Sequence, residues 1–141
     1  MSARLAALAL AVALGGCATG GPDRGTSAPL AGTAWLAQDI DGSAVLGGVQ
    51  STLVFDAAQR ISGRAACNQY FGTVERGEGG ILRLKPAGTT RMACPDAVMA
   101  QERRFLDTLG AVTAYRTEGG ALLLLDSSAR VRMRLQPLPP R

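Results

Sequence analysis

The 141-residue chain has no histidine, a single lysine and only 4% aromatic residues. Without imidazole it lacks the usual general base, the usual partner of a serine or cysteine nucleophile and the commonest zinc ligand. Three cysteines are present, none in a C-x-x-C pair, so a four-ligand zinc site has too few donors. The longest apolar run, Leu5–Leu14, is ten residues, half of the roughly 20 that a membrane-crossing helix requires. At 47% hydrophobic and 18% charged, the chain is too apolar to be disordered, and its length suits one domain. Eighteen glycines and seven prolines point to short elements joined by turns, as in a sheet-rich fold. The net charge of +4 is dispersed rather than clustered, which speaks against a nucleic-acid partner. Its skew to arginine, beside abundant alanine, is what GC-rich coding produces.

The N-terminus reads as an address. Arg4 precedes the apolar run Leu5–Leu14, and Leu14-Gly15-Gly16-Cys17 follows it without any polar face. This junction resembles the bacterial lipoprotein box, in which the cysteine becomes the acylated first residue of the mature protein. Residues 1–16 are then a signal peptide and Cys17 the lipidation site. Two or more acyl chains, at ~0.8 kcal/mol per buried methylene, make a stable anchor. Ala18 stands where lipoproteins retained in the inner membrane usually carry aspartate, so the resemblance implies the periplasmic face of the outer membrane. Residues 17–30, rich in glycine, proline, serine and threonine, form the acylated cysteine and a flexible tether with a reach of ~20 Å.

From Thr33 onward, short apolar runs bounded by glycine or aspartate predict strands near 33–40, 51–56, 60–66, 72–76, 81–86, 113–118 and 121–126. Gly119-Gly120 is a two-residue hairpin signal. In the last strand Val131, Met133 and Leu135 alternate with Arg130, Arg132 and Arg134. One face is expected to be buried and the other cationic, either simply solvated or in contact with anionic lipid phosphates. Residues 137–141 are a proline-rich tail expected to leave the sheet. Only Pro95–Leu109 predicts a helix, with proline and Asp96 at its start and Gly110 as its stop. Its apolar stripe is Val98, Met99, Phe105, Leu106 and Leu109, and Glu102 falls within it.

Three spaced segments then carry a resemblance: Gly32-Thr33-Ala34-Trp35, Gly63-Arg64-Ala65-Ala66-Cys67-Asn68-Gln69-Tyr70-Phe71-Gly72, and Thr89-Thr90-Arg91-Met92-Ala93-Cys94, followed by Glu102 and Leu122–Asp126. Together they resemble the META domain, as in HslJ-type heat-shock lipoproteins, over residues 31–136. Ala66 departs from the glycine that often precedes the first of these cysteines. The resemblance implies an α+β domain with an antiparallel, partly barrel-like sheet of short strands wrapped around a single α-helix. It also implies a link to heat stress and antibiotic tolerance, with no established catalysis and no cofactor.

Cys67 and Cys94 could be metal ligands, a reactive thiol or a disulfide. The oxidising periplasm, with Cys17 consumed by lipid, favours the disulfide. Asn68 and the residues after it read as a turn, with Tyr70 and Phe71 available for the core. Glu102 either bends to solvent at the edge of the stripe or is drawn into the interior, where a carboxylate needs a partner; Arg91 is then the expected cation, with Asn68 and Thr90 supplying further hydrogen bonds. The combined expectation is a non-enzymatic lipoprotein, anchored to the outer membrane and binding an envelope protein or glycan under stress. An inhibitor of a lytic enzyme such as lysozyme is the alternative. A carrier of apolar ligands would need a hollow interior, and the short strands predict a filled one.

Overall fold

A computed structural model describes residues 29–139. The signal peptide, the lipidation site Cys17 and the tether up to residue 28 lie outside the described residues. Within them, one antiparallel sheet is built from β1 (Ala34–Ile40), β2 (Ser43–Ala44), β3 (Thr52–Phe55), β4 (Arg60–Arg64), β5 (Gln69–Arg76), β6 (Leu82–Thr89), β7 (Ala114–Glu118), β8 (Ala121–Leu125) and β9 (Val131–Pro137). A single helix, α1 (Asp96–Ala111), joins β6 to β7. The strands follow the order β6-β5-β4-β3-β1-β9-β8-β7, with β2 beside β1. Two meanders are thus sewn together where β1 pairs β9, and the α+β reading holds.

Register irregularities at Ala37/Asp39, Phe71/Gly72 and Leu124/Leu125 bend the sheet, as bulges do. Curling brings the two edges together at one point. Ile81 bridges Ala114, and the Leu82 amide donates to the Thr113 carbonyl at 3.0 Å. Beyond that point the edges part and α1 packs against β6, so the helix serves as the filling of a half-closed barrel. Phe105 and Leu109 of α1 meet Ile40, Leu53, Phe55, Leu82, Leu122 and Met133 in one fully buried core. Tyr70 joins it edge-on to Phe105 at 5.6 Å, its hydroxyl donating to the Thr52 carbonyl at 2.9 Å. Burial pushes the phenol of Tyr70 well above its ordinary range.

Strand alternation decides the aromatics. With Tyr70 inward, Phe71 must point outward, and it is 60% exposed rather than part of the core. Gly72 is inward again, and any Cβ there would stand 2.2 Å from the Lys85 carbonyl oxygen, so the close approach of β5 and β6 requires glycine. Gly119 and Gly120 both take positive φ (57° and 81°), as the hairpin signal demanded. Ala66 is absent from the positive-φ residues, so its replacement of the usual glycine is without strain.

Three expectations change. Helix α1 runs through Gly110 to Ala111, because buried Val112 at its end draws the chain onward into the core. Pro137 remains in β9, opposite Trp35, and the Leu138 amide donates to the Ala34 carbonyl at 2.9 Å. Pairing with β8 has already ended at Leu122↔Leu135, so Pro137 has a neighbour strand on one side only, where a missing donor is tolerated. Val131 is 41% exposed although Met133 and Leu135 are fully buried, because the bulge at Leu124/Leu125 breaks the alternation ahead of it.

Candidate functional site

The turn between β4 and β5 and the segment between β6 and α1 meet at a disulfide, Cys67–Cys94, with Cα atoms 6.0 Å apart. Turns leave backbone N–H groups without ladder partners, and this turn is buried: Cys67 and Asn68 are 5% and 2% exposed. Glu102, projecting from the second turn of α1 and itself 5% exposed, answers that deficit. One carboxylate oxygen accepts from the Cys67 amide at 3.0 Å and the Asn68 amide at 2.7 Å. The other accepts from Asn68 Nδ2 at 2.8 Å. Glu102 is therefore buried and hydrogen-bonded, but not by the cation expected. Arg91 is exposed. Two backbone amides and one side-chain amide already occupy the carboxylate, and a guanidinium would have to surrender its own hydration to displace them.

Asn68 carries the network outward. Its Oδ1 accepts from Thr90 Oγ1 at 2.9 Å and from the Met92 amide at 2.6 Å, while Nδ2 also donates to the Met92 carbonyl at 3.2 Å. The Gln69 amide in turn donates to Thr90 Oγ1 at 3.1 Å, and the Thr90 amide donates to the Gln69 carbonyl at 3.0 Å. Thr90 thus acts through Asn68 rather than on Glu102. The segment 90–94 is held at Thr90, Met92 and Cys94, which turns the side chains of Arg91 and Met92 to solvent, Met92 being 60% exposed. Met99 and the disulfide floor a shallow depression of about 380 Å³ beneath them.

Gln101 was not anticipated. It is fully buried, its Oε1 accepting from the Leu46 amide at 2.7 Å and its Nε2 donating to Ser51 Oγ at 3.1 Å, while Ser51 Oγ donates to the Ala65 carbonyl. Gln101 lies three after Val98 and four before Phe105, on the apolar stripe, and that spacing was the available signal. Side by side on α1, Gln101 and Glu102 satisfy two loops the sheet leaves open. Among the described residues no cluster of three or more His, Cys, Asp or Glu could hold a metal ion.

Of Arg130, just before β9, and Arg132 and Arg134 within it, the first two are engaged. Asp126, whose side chain is 8% exposed, accepts from Arg130 Nε at 3.0 Å and Nη2 at 2.8 Å, and from Arg132 Nη1 at 3.4 Å. Arg132 Nε also donates to Asp41 at 2.7 Å, which raises the guanidinium above its already high range. Arg134 remains exposed. The row is therefore no uniform stripe of free guanidinium. The loop has a twin: Asp56 accepts from the Ala58 and Arg60 amides, both at 2.8 Å, and from Arg60 Nε at 2.7 Å, as Asp126 accepts from Ser128, Arg130 and its side chain. In both loops the residue before the arginine, Gln59 or Ala129, takes φ of 59°.

Burial by itself would raise Asp126, but the Arg130 side chain and the Arg130 and Ser128 amides outweigh it and hold the carboxyl at about 2. A depressed folded value means the stabilising contribution is complete above the unfolded aspartate range and disappears as pH falls through about 2. Asp126→Asn is therefore expected to lower stability by a constant amount at pH 5–8, with the gap to the parent closing between about pH 4 and 2. Urea titrations across that range would show it, and a gap unchanged down to pH 2 would dismiss the ionic role.

Comparison with known proteins places this geometry. A family model described as META domain matches residues 28–137. The NMR structure of a protein from Burkholderia xenovorans is similar at 21% identity and a TM-score of 0.68, covering 89% of this chain and 97% of that one. The crystal structure of a DUF4847 family protein from Bacteroides vulgatus is similar at 13% identity and a TM-score of 0.59, covering 76% of this chain and 93% of the other. At these identities the likeness is one of fold. No curated protein matches significantly.

Proposed function

The chain belongs to the META domain family, and on that premise we propose that it is a non-enzymatic lipoprotein, anchored through Cys17 to the periplasmic face of the outer membrane, that supports heat or antibiotic tolerance by binding an envelope partner. The observation that carries the binding role is the fixed 90–94 segment. The disulfide and Asn68, itself fixed by Glu102, are spent on holding its backbone, and what this leaves outward is a cation and a thioether, Arg91 and Met92. An immobilised segment loses little entropy on association, and methionine adapts to varied apolar surfaces.

The same segment supports one alternative. A stapled loop with two exposed side chains is a form in which an inhibitor can enter the cleft of a lytic enzyme. One pair of experiments separates the readings. Cys17→Ser is expected to move the protein from the outer-membrane fraction to the soluble periplasm, and unchanged fractionation would end the anchor reading. A photocrosslinker at position 92 is expected to capture one envelope protein in stressed cells, with capture lost when Arg91 is also changed to alanine. Stoichiometric inhibition of lysozyme by the purified chain, abolished by the same change, would favour the inhibitor.

A further inference from the structure

On the outer face of the sheet, β3 and β4 pair only at Val54↔Ser62 and Phe55↔Ile61 and then diverge. The Arg64 amide bonds to Thr52 Oγ1 at 2.9 Å in place of a ladder bond. Gly63 sits at the divergence, where any Cβ would stand 2.3 Å from the Thr52 carbonyl oxygen. The parting strands open a groove of about 480 Å³, walled on one side by Leu138 and Pro139 and lined by Gln50, Ser62, Arg64 and Gln69. Ser62 also borders a second depression of about 350 Å³, whose other wall is Phe71.

Phe71 is the unusual feature. An aromatic ring 60% exposed on a sheet face is commonly the tip of a mobile side chain, but this one lies across β6. A Cβ on Gly88 would stand 2.5 Å from its Cζ, so the ring rests on bare backbone with its other face open. The register puts Val54, Ser62, Phe71 and Gly88 in one row across four strands, and Arg64 opposite Gln69 in the next. Rows on one face are about 7 Å apart along the strands, and neighbouring strands about 4.8 Å apart. Flat ring and guanidinium are therefore separated by roughly the span of a disaccharide. Arg60 is held by Asp56, whereas Arg64 forms no ion pair among the described residues, which leaves the groove one uncommitted cation.

We propose that this groove binds an anionic oligosaccharide, one sugar stacking its C–H face on Phe71 while a carboxylate on the next meets Arg64. The strands decide against an extended peptide. β3, β4 and β5 are interior strands, and where β3 and β4 part the Arg64 amide is taken by Thr52 Oγ1 and the Thr52 carbonyl by the Tyr70 hydroxyl, so no free row of backbone donors and acceptors is offered for strand addition, the usual way a sheet takes a peptide. What the floor does offer is hydroxyl and carboxamide groups, which donate and accept at once and so match sugar hydroxyls. Arg64 supplies the fork that suits a carboxylate. Because Phe71 is already positioned, ordering it costs the complex little.

The groove meets the 90–94 segment where Gln69 bonds to Thr90 but uses neither Arg91 nor Met92, and its test does not depend on any protein partner. Isothermal titration of the full chain with a tetramer of galacturonic acid is expected to give saturable binding, and the neutral cellotetraose at least tenfold weaker binding. Phe71→Ala should weaken both tenfold or more, Phe71→Tyr should preserve both, and Arg64→Gln should abolish the preference for the acidic sugar. Each variant is at an exposed position, and its thermal unfolding would confirm that the fold persists. Absence of saturable binding by either sugar, or binding indifferent to Phe71→Ala, would overturn the proposal. Tighter binding of an oligo-aspartate peptide or of oligodeoxythymidylate than of the acidic sugar would overturn it as well.

Discussion

Glu102→Ala is expected to lower the unfolding free energy by about 3–5 kcal/mol, a large part of what a domain of this size possesses. Truncation strands three buried donors, the amides of Cys67 and Asn68 and the side-chain amide of Asn68, and each unsatisfied donor costs roughly 1–3 kcal/mol. Water entering from the shallow depression above would recover some of this. Glu102→Gln should fall between, since its carbonyl oxygen can still accept while its NH₂ must face other donors. Arg91→Ala should cost under ~1 kcal/mol and show no coupling with Glu102, because an exposed cation outside the network has little to lose. Chemical denaturation of the parent, the three single variants and the Glu102→Ala/Arg91→Ala double variant tests this through midpoints at unchanged slope. A Glu102→Ala loss under ~1 kcal/mol would mean that the turn finds other acceptors.

That contrast marks how far the sequence could be read. The place of Glu102 on the apolar stripe, three and four residues from its neighbours, was legible, though not whether its carboxylate turns inward or bends to solvent. Its partners were not, since a backbone amide is common to every residue and leaves no mark on composition. Charge complementarity suggested Arg91; the fold used N–H groups instead. Gln101 has the same spacing, but an uncharged amide demands no counter-charge and so marks the stripe less sharply than a carboxylate. Most strand positions followed the glycine and aspartate breaks and Gly119-Gly120 set its hairpin, but β5 begins at Gln69, where a turn was expected up to Gly72, and the short β2 was not expected. Phe71 went astray because scarcity of aromatics suggested the core, while alternation from Tyr70 dictated the outer face. The repeated aspartate-to-arginine spacing at 56–60 and 126–130 was plain in the sequence, yet only the shared loop geometry reveals what it does.

Removing the Cys67–Cys94 bond is the second large effect. With a sequence separation of 27, the chain-entropy relation gives a loss of about 3.5 kcal/mol for the paired Cys67→Ser and Cys94→Ser substitutions. Before that, alkylation of the native, unreduced protein is expected to label neither residue. The disulfide and the Glu102 network restrain the same two segments, one by a covalent bond, the other through Asn68 and its bonds to Met92 and Thr90. If both act on one cooperative unit, the cysteine pair and Glu102→Ala should combine to less than the sum of their separate losses, because the turn freed by one has less left for the other to hold. Hydrogen exchange gives the local view. In the disulfide-free chain the amides at positions 67, 68 and 92 should remain protected, since they keep their bonds to Glu102 and Asn68 after the covalent link is gone. Strict additivity, with these three amides losing protection together, would assign the rigidity of the 90–94 segment to the disulfide alone and reduce the polar network to filling beneath it.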